Sequence, residues 1–485
     1  MFRTGASLSG ECGTEGSARA SAGQTGQLGV LRQVVTRAMV TQVLAVSGRG
    51  DRRSDGKLCA VTCVFFVLAL TLFPRDGYRS VLSKLAGGTA SLVARGQLVS
   101  SSALRQRRLS LGPEPFRLLF ERIAGPVGTA VMPGVFWRGL RLASVDGTYF
   151  EVADTAVNAV FGRTRNQRRA AAFPQVHLVA LIECGTRALL GVAFDVRRVC
   201  EQDLTRRLLD RMRPGMLVLA DRGFPGWLLW VDAAAGGADL LWRISAAVRL
   251  VPDEVLPDGS WLATRHADKN IWKALAGRPR SVRVRVIEMV VVIEAADGSR
   301  RHEPYRLITT LLDHKAFPAG ELAALYSQRW ESELEFRDLK ITQRGPRAVL
   351  RSKTPALVNQ EIWAYLVTHQ AIRRMIAATA ADHRLDADRL SFTVALTVAR
   401  DTVVRIRART GTHPPEMTAS LLANLGPSER RLRVCLRAVK RPNAIFPSKP
   451  IGPASRSTKI IEYGIQIVTG QTGPTATTKQ NSRTR

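Results

Sequence analysis

The sequence predicts an α/β core that follows an all-helical N-terminal domain and precedes a helical C-terminal region. Three observations support this fold class. The chain has 485 residues, more than one ordinary hydrophobic core accommodates. Its hydrophobic periodicity is helical up to about residue 130, and from about residue 140 short apolar runs alternate with helical segments. We therefore expect two or more domains.

The N-terminal domain is predicted to span residues 28–130, after residues 1–27, whose Gly, Ser and Thr content predicts a disordered tail. Gly and Pro separate its helical segments. A small helical domain is a common DNA-contacting module, and we predict that role here. The helices are Val34–Val46, Leu58–Phe73, Tyr78–Leu85, Leu104–Leu109 and Glu114–Ile123.

The segment Leu58–Phe73 is apolar for sixteen residues. A bilayer span needs roughly 20 residues, and the segment lies too far from the N-terminus for a signal peptide. We interpret it as a buried helix and expect no membrane association. A membrane anchor is the alternative, and it predicts that the chain pellets with membranes.

The core is predicted in two parts, residues 131–245 and 304–378, separated by a β-rich insertion at 246–303. Pro-Asp-Gly and Ala-Asp-Gly turns break the insertion into short β runs. The strands of the core are Leu140–Val145, Val176–Glu183, Ala188–Val196, Met216–Ala220, Leu240–Ile244 and Tyr305–Leu312, and its helices are Glu201–Arg213, Phe224–Ala235 and Ala319–Lys340.

The C-terminal region is predicted to be helical and basic over residues 379–450, and residues 451–485 are predicted to be a second disordered tail. Further helices are predicted at 356–382 and 390–407. The basic segment carries Arg430, Arg431, Arg433, Arg437, Lys440 and Arg441.

Composition points to a polyanionic partner. Lys and Arg outnumber Asp and Glu by 71 to 40, a formal net charge of +31, and neutralised phosphates release condensed counterions. A GC-rich genome, which favours Arg codons, is an alternative source of part of this excess. The six cysteines show no CxxC pair or zinc spacing, so we expect a cytoplasmic protein with reduced cysteines and no His/Cys metal site.

Three acidic residues are candidates for a shared site. Asp146 and Asp221 each follow a short apolar run that predicts a strand, and Glu333 lies in the predicted helix Ala319–Lys340. Carboxylates are the ligands that hard divalent ions prefer, and two such ions can catalyse phosphodiester cleavage. The three acids therefore predict a site for nucleic-acid hydrolysis.

The helix that carries Glu333 also presents polar groups at helical spacing. Tyr326, Arg329, Glu333, Arg337 and Lys340 follow each other at steps of three or four, which places them on one face. That face combines an aromatic hydroxyl, three cations and a carboxylate. It is suited to hold a metal ion and to bind a phosphate.

Each acid alone also has a purely structural interpretation. Asp146 precedes Gly147, and Asp-Gly is a strong hairpin-turn signal. Asp221 is a candidate N-cap for the following helix. Glu333 is spaced to pair with Arg329 or Arg337 on a solvated helix. The three residues together carry the functional prediction.

The chain resembles the DDE transposases of bacterial insertion sequences, in the insertion-sequence-4 group. That group is marked by the pattern Tyr-x2-Arg-x3-Glu-x6-Lys, which Tyr326, Arg329, Glu333 and Lys340 match without a gap. The contexts Asp146-Gly-Thr and Ala-Asp221-Arg-Gly-Phe resemble those of the family as well. The resemblance covers about residues 30 to 450.

This resemblance implies an RNase H-like catalytic core with Asp146, Asp221 and Glu333 as the catalytic and metal-binding triad. It implies two Mg²⁺ ions, with Mn²⁺ able to substitute. Tyr326, Arg329 and Lys340 are implied to contact DNA phosphates, and we add Arg337 to this set from its place on the helix.

The implied reaction is nicking at the ends of a mobile element, followed by attack of the freed 3′-hydroxyl on target DNA. The implied partners are double-stranded DNA, both the terminal inverted repeats and the target, and a second copy of the chain in a homodimer. We expect the protein at the nucleoid of a bacterial cell. The alternatives are an inactive DNA-binding relic or repressor, and an RNase H-like nuclease without strand transfer.

Three tryptophans in or beside the insertion, Trp242, Trp261 and Trp272, are candidates to stack on a flipped base. Core packing is the alternative for each.

Overall fold

The computed structural model describes residues 28–51, 58–87, 99–164, 170–295, 300–346, 348–405, 415–428, 460–468 and 477–480. The predicted tail at 1–27 and the basic segment at 430–441 lie outside these residues.

Five α-helices form the N-terminal part of the described chain: α1 (Arg37–Val46), α2 (Ala60–Leu72), α3 (Tyr78–Leu85), α4 (Ser101–Leu111) and α5 (Glu114–Ile123). Hydroxyl side chains cap the N-termini of two of these helices. The Thr36 hydroxyl accepts from the Met39 N–H, and the Ser100 hydroxyl accepts from the Ala103 N–H, each at 3.1 Å. These N-caps satisfy amide groups that have no partner within the helix.

The apolar segment Leu58–Phe73 forms α2, whose side chains are buried around nearly the whole helix. It packs against α10 (Pro355–Asp382), a 28-residue helix that is itself largely buried. The prediction of a buried helix is confirmed. Within the described residues, no helix has the length and apolar character that a membrane crossing requires.

One mixed sheet forms the centre of the molecule, with strand order β12-β11-β9-β10-β6-β5-β2-β3-β4. The strands are β1 (Phe136–Trp137), β2 (Leu140–Glu151), β3 (Gln175–Glu183), β4 (Leu189–Val196), β5 (Met216–Ala220), β6 (Asp239–Ile244), β7 (Glu254–Val255), β8 (Trp261–His266), β9 (Ser281–Ala295), β10 (Arg300–Thr309), β11 (Ile460–Ile467) and β12 (Thr477–Gln480). Helices α6 (Glu201–Arg206) and α7 (Trp227–Ala235) follow β4 and β5. The predicted α/β fold class, with an RNase H-like core, is confirmed.

Strand β2 runs through the Asp146-Gly147 pair without a turn. It pairs with β3 in antiparallel register, with Asp146 opposite Ala180 and Gly147 opposite Val179. The hairpin-turn interpretation of Asp146 is therefore wrong, and the predicted strand end at Val145 is too early. Ladder hydrogen bonds to β3 outweigh the local turn preference of Asp-Gly.

The strands of the predicted insertion extend the central sheet. Strand β9 pairs with β8 on one side and β10 on the other, and β10 pairs with β6 of the core. The sheet therefore runs from the core into the segment at 246–303.

The C-terminal tail differs from the prediction. Strand β11 pairs with β9, so disorder from residue 451 onwards is wrong for residues 460–468. Ile465 and Ile467 of β11 are buried in a core cluster with Met289 and Val291 of β9. Alternating isoleucines supply an apolar face, a pattern hidden by the polar composition around it.

The helix predicted at Ala319–Lys340 is present but irregular. It consists of α8 (Ala319–Leu325), a 3₁₀ segment (Tyr326–Trp330), α9 (Glu331–Arg337) and a π segment (Asp338–Gln343). We refer to Ala319–Gln343 as the motif helix. After it come α10, α11 (Phe392–Arg405) and α12 (Pro415–Leu422), where α10 and α11 confirm two predicted helices.

Candidate active site

Strand pairing places Asp146 and Asp221 side by side. Strands β2 and β5 are parallel, and Val145 pairs with Ala220. Asp146 and Asp221 are the next residues of the two segments, so both carboxylates project from the same edge of the sheet. The carboxylates are fixed by backbone amides, since the Gly147 N–H donates to Asp146 at 2.8 Å and the Arg222 N–H donates to Asp221 at 2.7 Å.

Two buried hydrogen bonds hold the motif helix across these strands. The hydroxyls of Ser144 and Ser332 lie 2.6 Å apart, and the Tyr326 hydroxyl donates to the Ala220 carbonyl at 3.1 Å. Ser144 is two residues before Asp146, Ala220 directly precedes Asp221, and Ser332 directly precedes Glu333. Each contact thus fixes the helix close to one of the acids.

The three acids surround the Arg329 guanidinium. Its nitrogens lie 3.9 Å from Asp146, 3.9 Å from Asp221 and 3.4 Å from Glu333. The structure therefore brings together the three carboxylates that the sequence predicted. These distances exceed those of good hydrogen bonds, and the buried Arg329 Nε has no hydrogen-bond partner among the described residues. The arginine is held by charge more than by directed bonds.

Burial shapes the charge of this cluster. It raises the pKa of Asp146 to about 6, although Arg329 and the Gly147 N–H act in the opposite direction. Burial works against the charge of Arg329 too, but its neighbours, including the three acids, outweigh burial and raise its pKa. A site with this much negative charge in a partly buried position favours a cation.

The donor set has the chemistry of a site for a hard divalent ion. Asp146, Asp221 and Glu333 offer only carboxylate oxygens, and Mg²⁺ completes its shell with waters and phosphate oxygens. As they stand, the described residues contain no group of three acid, His or Cys side chains close enough to share a metal ion. The cation that the carboxylates surround is Arg329, so the residue types fit a metal and their charge is compensated by the protein itself.

Of the two remaining cations of the motif helix, Lys340 lies beside the site and Arg337 lies outside it. Lys340 donates to the Thr148 hydroxyl at 3.0 Å, and Thr148 lies two residues after Asp146 on the same face of β2. Arg337 is exposed, and its guanidinium lies 3.9 Å from Asp338. The structure does not bring Arg337 to the carboxylates, because the buried partners of its helical neighbours set the rotation of this turn.

Tyr326 is buried, which differs from the implied contact with a DNA phosphate. Its side chain is 4% exposed and its hydroxyl proton is used by the Ala220 carbonyl. Burial raises the pKa of Tyr326 far above its ordinary value, so the phenol stays neutral. A phosphate oxygen can only accept, so the hydroxyl as placed is not available to it.

The site contains further contacts that the sequence alone does not predict. Arg243 on β6 lies 3.8 Å from Asp221, and the Glu201 carboxylate lies where a side chain on Gly147 would project. Glu201 also adds to the raised pKa of Asp146. The sequence predicts Glu201 only as part of a helix, because the strand pairing that brings these residues together has no local sequence signal.

The three candidate tryptophans are placed mainly by packing. Trp242 is fully buried and meets Trp230 edge to face, with ring centroids 5.3 Å apart. Trp261 is buried in the same core cluster. Trp272 is 42% exposed, and its indole N–H donates to the Ala267 carbonyl at 3.2 Å. Trp272 is therefore the most exposed of the three.

Two family models and two curated relatives match this chain. Residues 25–121 match the family model described as insertion element 4 transposase N-terminal, and residues 137–369 match the transposase DDE domain. Transposase InsG for insertion sequence element IS4, from Escherichia coli (strain K12), is 27% identical over 421 residues, covering 85% of this chain and 92% of the relative. Putative transposase InsZ of the same strain is 27% identical over 151 residues, covering 31% and 50%.

A solved structure is similar at low level. The piggyBac transposase in a synaptic complex with hairpin DNA aligns over 82% of this chain and 84% of its own, with 8% identity and a TM-score of 0.41. That score is too low to support a conclusion.

The two family models fall on the two parts of the chain that the sequence distinguished. The first covers α1 to α4 and most of α5, and the second contains Asp146, Asp221, Glu333 and the whole motif helix. The resemblance stated from the sequence is confirmed. The chain belongs to the insertion-sequence-4 family of DDE transposases.

Proposed function

We propose that this DNA transposase cuts DNA at the terminal inverted repeats of its own element and joins the freed 3′ ends to target DNA. The observation that carries this proposal is the convergence of Asp146, Asp221 and Glu333 around one cation. Three carboxylates at one edge of a sheet are a donor set suited to the divalent ions that catalyse cleavage and joining of phosphodiester bonds.

We propose Asp146, Asp221 and Glu333 as the residues that hold divalent metal, with two Mg²⁺ ions as the physiological pair and Mn²⁺ as a substitute. Bound divalent ions supply activation of a water or a 3′-hydroxyl and stabilisation of the leaving oxygen. The protein contributes rigidity, because the acids sit on paired strands and on a helix that Ser332 and Tyr326 anchor.

Arg329 and Lys340 are proposed to bind the phosphates beside the reacting bond. Both are cations on the motif helix, and Lys340 retains two ammonium hydrogens beyond the one donated to Thr148. Tyr326 is proposed to position the helix and not to contact DNA, because its hydroxyl is buried. Arg337 is proposed to contact DNA only away from the reacting phosphate, since it is exposed outside the cluster.

The proposed assembly contains two copies of the chain. An element has two inverted repeats, and each presents the same sequence to one active site. A symmetric dimer therefore brings two ends together with equivalent contacts.

The test is a cleavage and joining assay on a duplex that carries the inverted repeat flanking the gene. Wild type with Mg²⁺ is expected to give nicked and joined products. Asp146→Ala, Asp221→Ala and Glu333→Ala should each abolish both. Asp382→Ala, an exposed acid at the end of α10, is the control and should retain activity.

Two outcomes would overturn the proposal. A wild-type protein that binds the repeat but never cuts would be a DNA-binding relic. Nicked products without joined products would indicate a nuclease without strand transfer.

A further inference from the structure

A second cationic site lies beside the last turn of the motif helix. A cavity of about 360 Å³ opens between the turn after α2, the segment Ile341–Pro346 and helix α11. Three arginines line it: Arg75, Arg344 and Arg400. Asp76 is the acidic residue among the lining groups, and its carboxylate is engaged by Lys84 and Ser80.

Arg344 is buried without the partners that a buried guanidinium needs. Its residue is 6% exposed, and its Nε and Nη1 atoms have no hydrogen-bond partner among the described residues. Its guanidinium lies over the Phe150 ring, 5.0 Å from the centroid. Glu151 and Glu361 act on its charge without a direct contact. Buried donors without partners are unfavourable, and an anion in the cavity would satisfy them.

The other two arginines are held toward the same space. Arg400 donates to the Leu72 carbonyl at 2.6 Å and to the Gln343 carbonyl at 3.2 Å, which joins α11 to both walls. Arg75 is exposed, and its guanidinium reaches within 4.0 Å of the position that a side chain on Gly345 would take. Burial lowers the pKa of Arg400, and the charge of Arg75 lowers it further. Mutual repulsion of this kind is relieved by an anion.

The cavity continues the line of the proposed active site. Asp146, Thr148 and Phe150 share one face of β2. They contact, in that order, Arg329 and Lys340 of the motif helix and Arg344, the residue that directly follows it. A strand rises about 3.3 Å per residue, so Asp146 and Phe150 are about 13 Å apart. That length spans several phosphates along one DNA strand.

We propose that Arg75, Arg344 and Arg400 form a binding site for a backbone phosphate of the DNA, several nucleotides from the bond that is cut. This inference rests on the proposed function, because it takes the bound strand to be the one that enters the active site. It gives the turn after α2 a direct contact with the DNA that the core cuts.

The test measures DNA affinity against salt concentration, with the duplex that carries the flanking inverted repeat. Each phosphate contact contributes about 0.9 to the slope of log K against log salt. Arg75→Gln is expected to reduce the slope by about this amount. Arg79→Gln removes the same charge from an exposed position on α3 outside the cavity, and it should leave the slope nearly unchanged.

Arg344→Met gives an independent readout. It should weaken DNA binding and reduce the slope, and it should also raise the melting temperature of the DNA-free protein because an unpaired buried charge is removed. A purely structural Arg344 would give a lower melting temperature, and that result would overturn the proposal.

Inorganic phosphate, added without DNA, distinguishes the two sources of the anion. If phosphate raises the melting temperature of wild type but not of Arg344→Met, while Arg75→Gln and Arg79→Gln have equal salt slopes, the cavity binds a small anion and the DNA proposal fails. If wild type does not bind the repeat at all, the proposed function itself fails. Normal binding and cleavage with equal slopes would overturn this inference alone.

Discussion

Arg329 is the central residue of the proposed active site. Its guanidinium compensates three carboxylates at distances of 3.4 to 3.9 Å, and the same residue is proposed to bind a phosphate. A phosphate that attracts the guanidinium would leave the carboxylates with uncompensated charge. Divalent metal and DNA should therefore favour each other's binding, since coupling between two ligands is reciprocal.

Arg329→Met is expected to make the stability of the protein depend on divalent ions. Without the guanidinium, repulsion among the acids should lower the free energy of unfolding by about 1–3 kcal/mol. Mn²⁺ should then raise the melting temperature of the variant more than that of wild type, because no internal cation competes. Differential scanning fluorimetry with and without Mn²⁺ measures this, and Arg337→Met is the control. Equal shifts in all three proteins would refute the competition.

Tyr326→Phe separates a positioning role from a phosphate contact. The variant loses the buried hydrogen bond to the Ala220 carbonyl, so unfolding should become easier by about 1 kcal/mol. The salt slope of DNA binding should be unchanged. Chemical denaturation and the salt titration measure the two effects. A reduced slope would instead support the phosphate contact that the family pattern implies for Tyr326.

Residue types were predictable here, and their contacts only in part. The acids and the spacing Tyr326, Arg329, Glu333 and Lys340 were visible because they lie in local patterns. The central place of Arg329 and the approach of Arg243 to Asp221 depend on pairing between distant strands. Such pairing has no local signal.

At the scale of elements, the motif helix is fixed from its buried side. Glu335 and Asp338 both pair with Arg373 of α10 at 2.6 Å, and Glu335 also pairs with His369. Glu331 pairs with Arg187 at 2.6 Å. These acids face inward while Glu333 faces the site, so the network sets the rotation of the helix. The π segment Asp338–Gln343 adjoins it, a feature common at functional sites.

Arg373→Met should be strongly destabilising. It leaves Glu335 and Asp338 buried with less compensation, and breaking a buried pair from one side typically costs about 3–5 kcal/mol. Arg374→Met is the matched control, since Arg374 is less buried and donates to the Ile123 carbonyl at 3.0 Å. Urea denaturation of both variants measures the difference. Equal, small losses would show that the network contributes little.

The same network predicts a pH dependence. Burial alone would raise the pKa of Asp338, but Arg373 and Arg187 outweigh burial and hold it below its ordinary 3.8. The ionised acid therefore stabilises the fold above about pH 4, and this stabilisation is lost as pH falls through the folded value. Wild-type stability should fall between pH 5 and pH 3. In Arg373→Met, burial should raise the pKa of Asp338 above its ordinary value. The free energy of unfolding of this variant should therefore rise as pH falls over the same interval. Parallel pH profiles would contradict this.

Secondary-structure elements were predicted best where an apolar run or a hydrophobic periodicity is strong. Helix α2 and the strands around Asp221 follow apolar runs, and the structure has both. The continuation of β2 past Gly147 and the irregular turns of the motif helix were not predictable. Both depend on partners far along the chain, namely β3 and the buried arginines.

For the whole molecule, the excess of basic residues and the sheet have separate roles. The net charge of +31 acts at long range and attracts DNA, with a strength that falls as salt rises. The sheet supplies the rigid edge for the acids. Strand β11 pairs with β9 and extends the sheet on the side away from β2. A segment late in the chain therefore completes a surface on which α8 of the motif helix packs.

Ile465→Asp tests whether β11 supports the motif helix from this distance. Ile465 is buried in the cluster that contains Leu322 of α8 and Met289 of β9. A carboxylate there loses apolar burial and introduces an unpaired charge, so unfolding should become easier by about 2–5 kcal/mol. Gln466→Asp is the control, because adjacent residues of a strand face opposite sides and Gln466 is less buried.

If β11 supports the helix, Ile465→Asp should also increase protease cleavage between residues 319 and 343, while Gln466→Asp should not. Equal melting temperatures for both variants would show that β11 is a peripheral addition, because a strand integral to the sheet cannot accept a charge on its buried face without loss of stability.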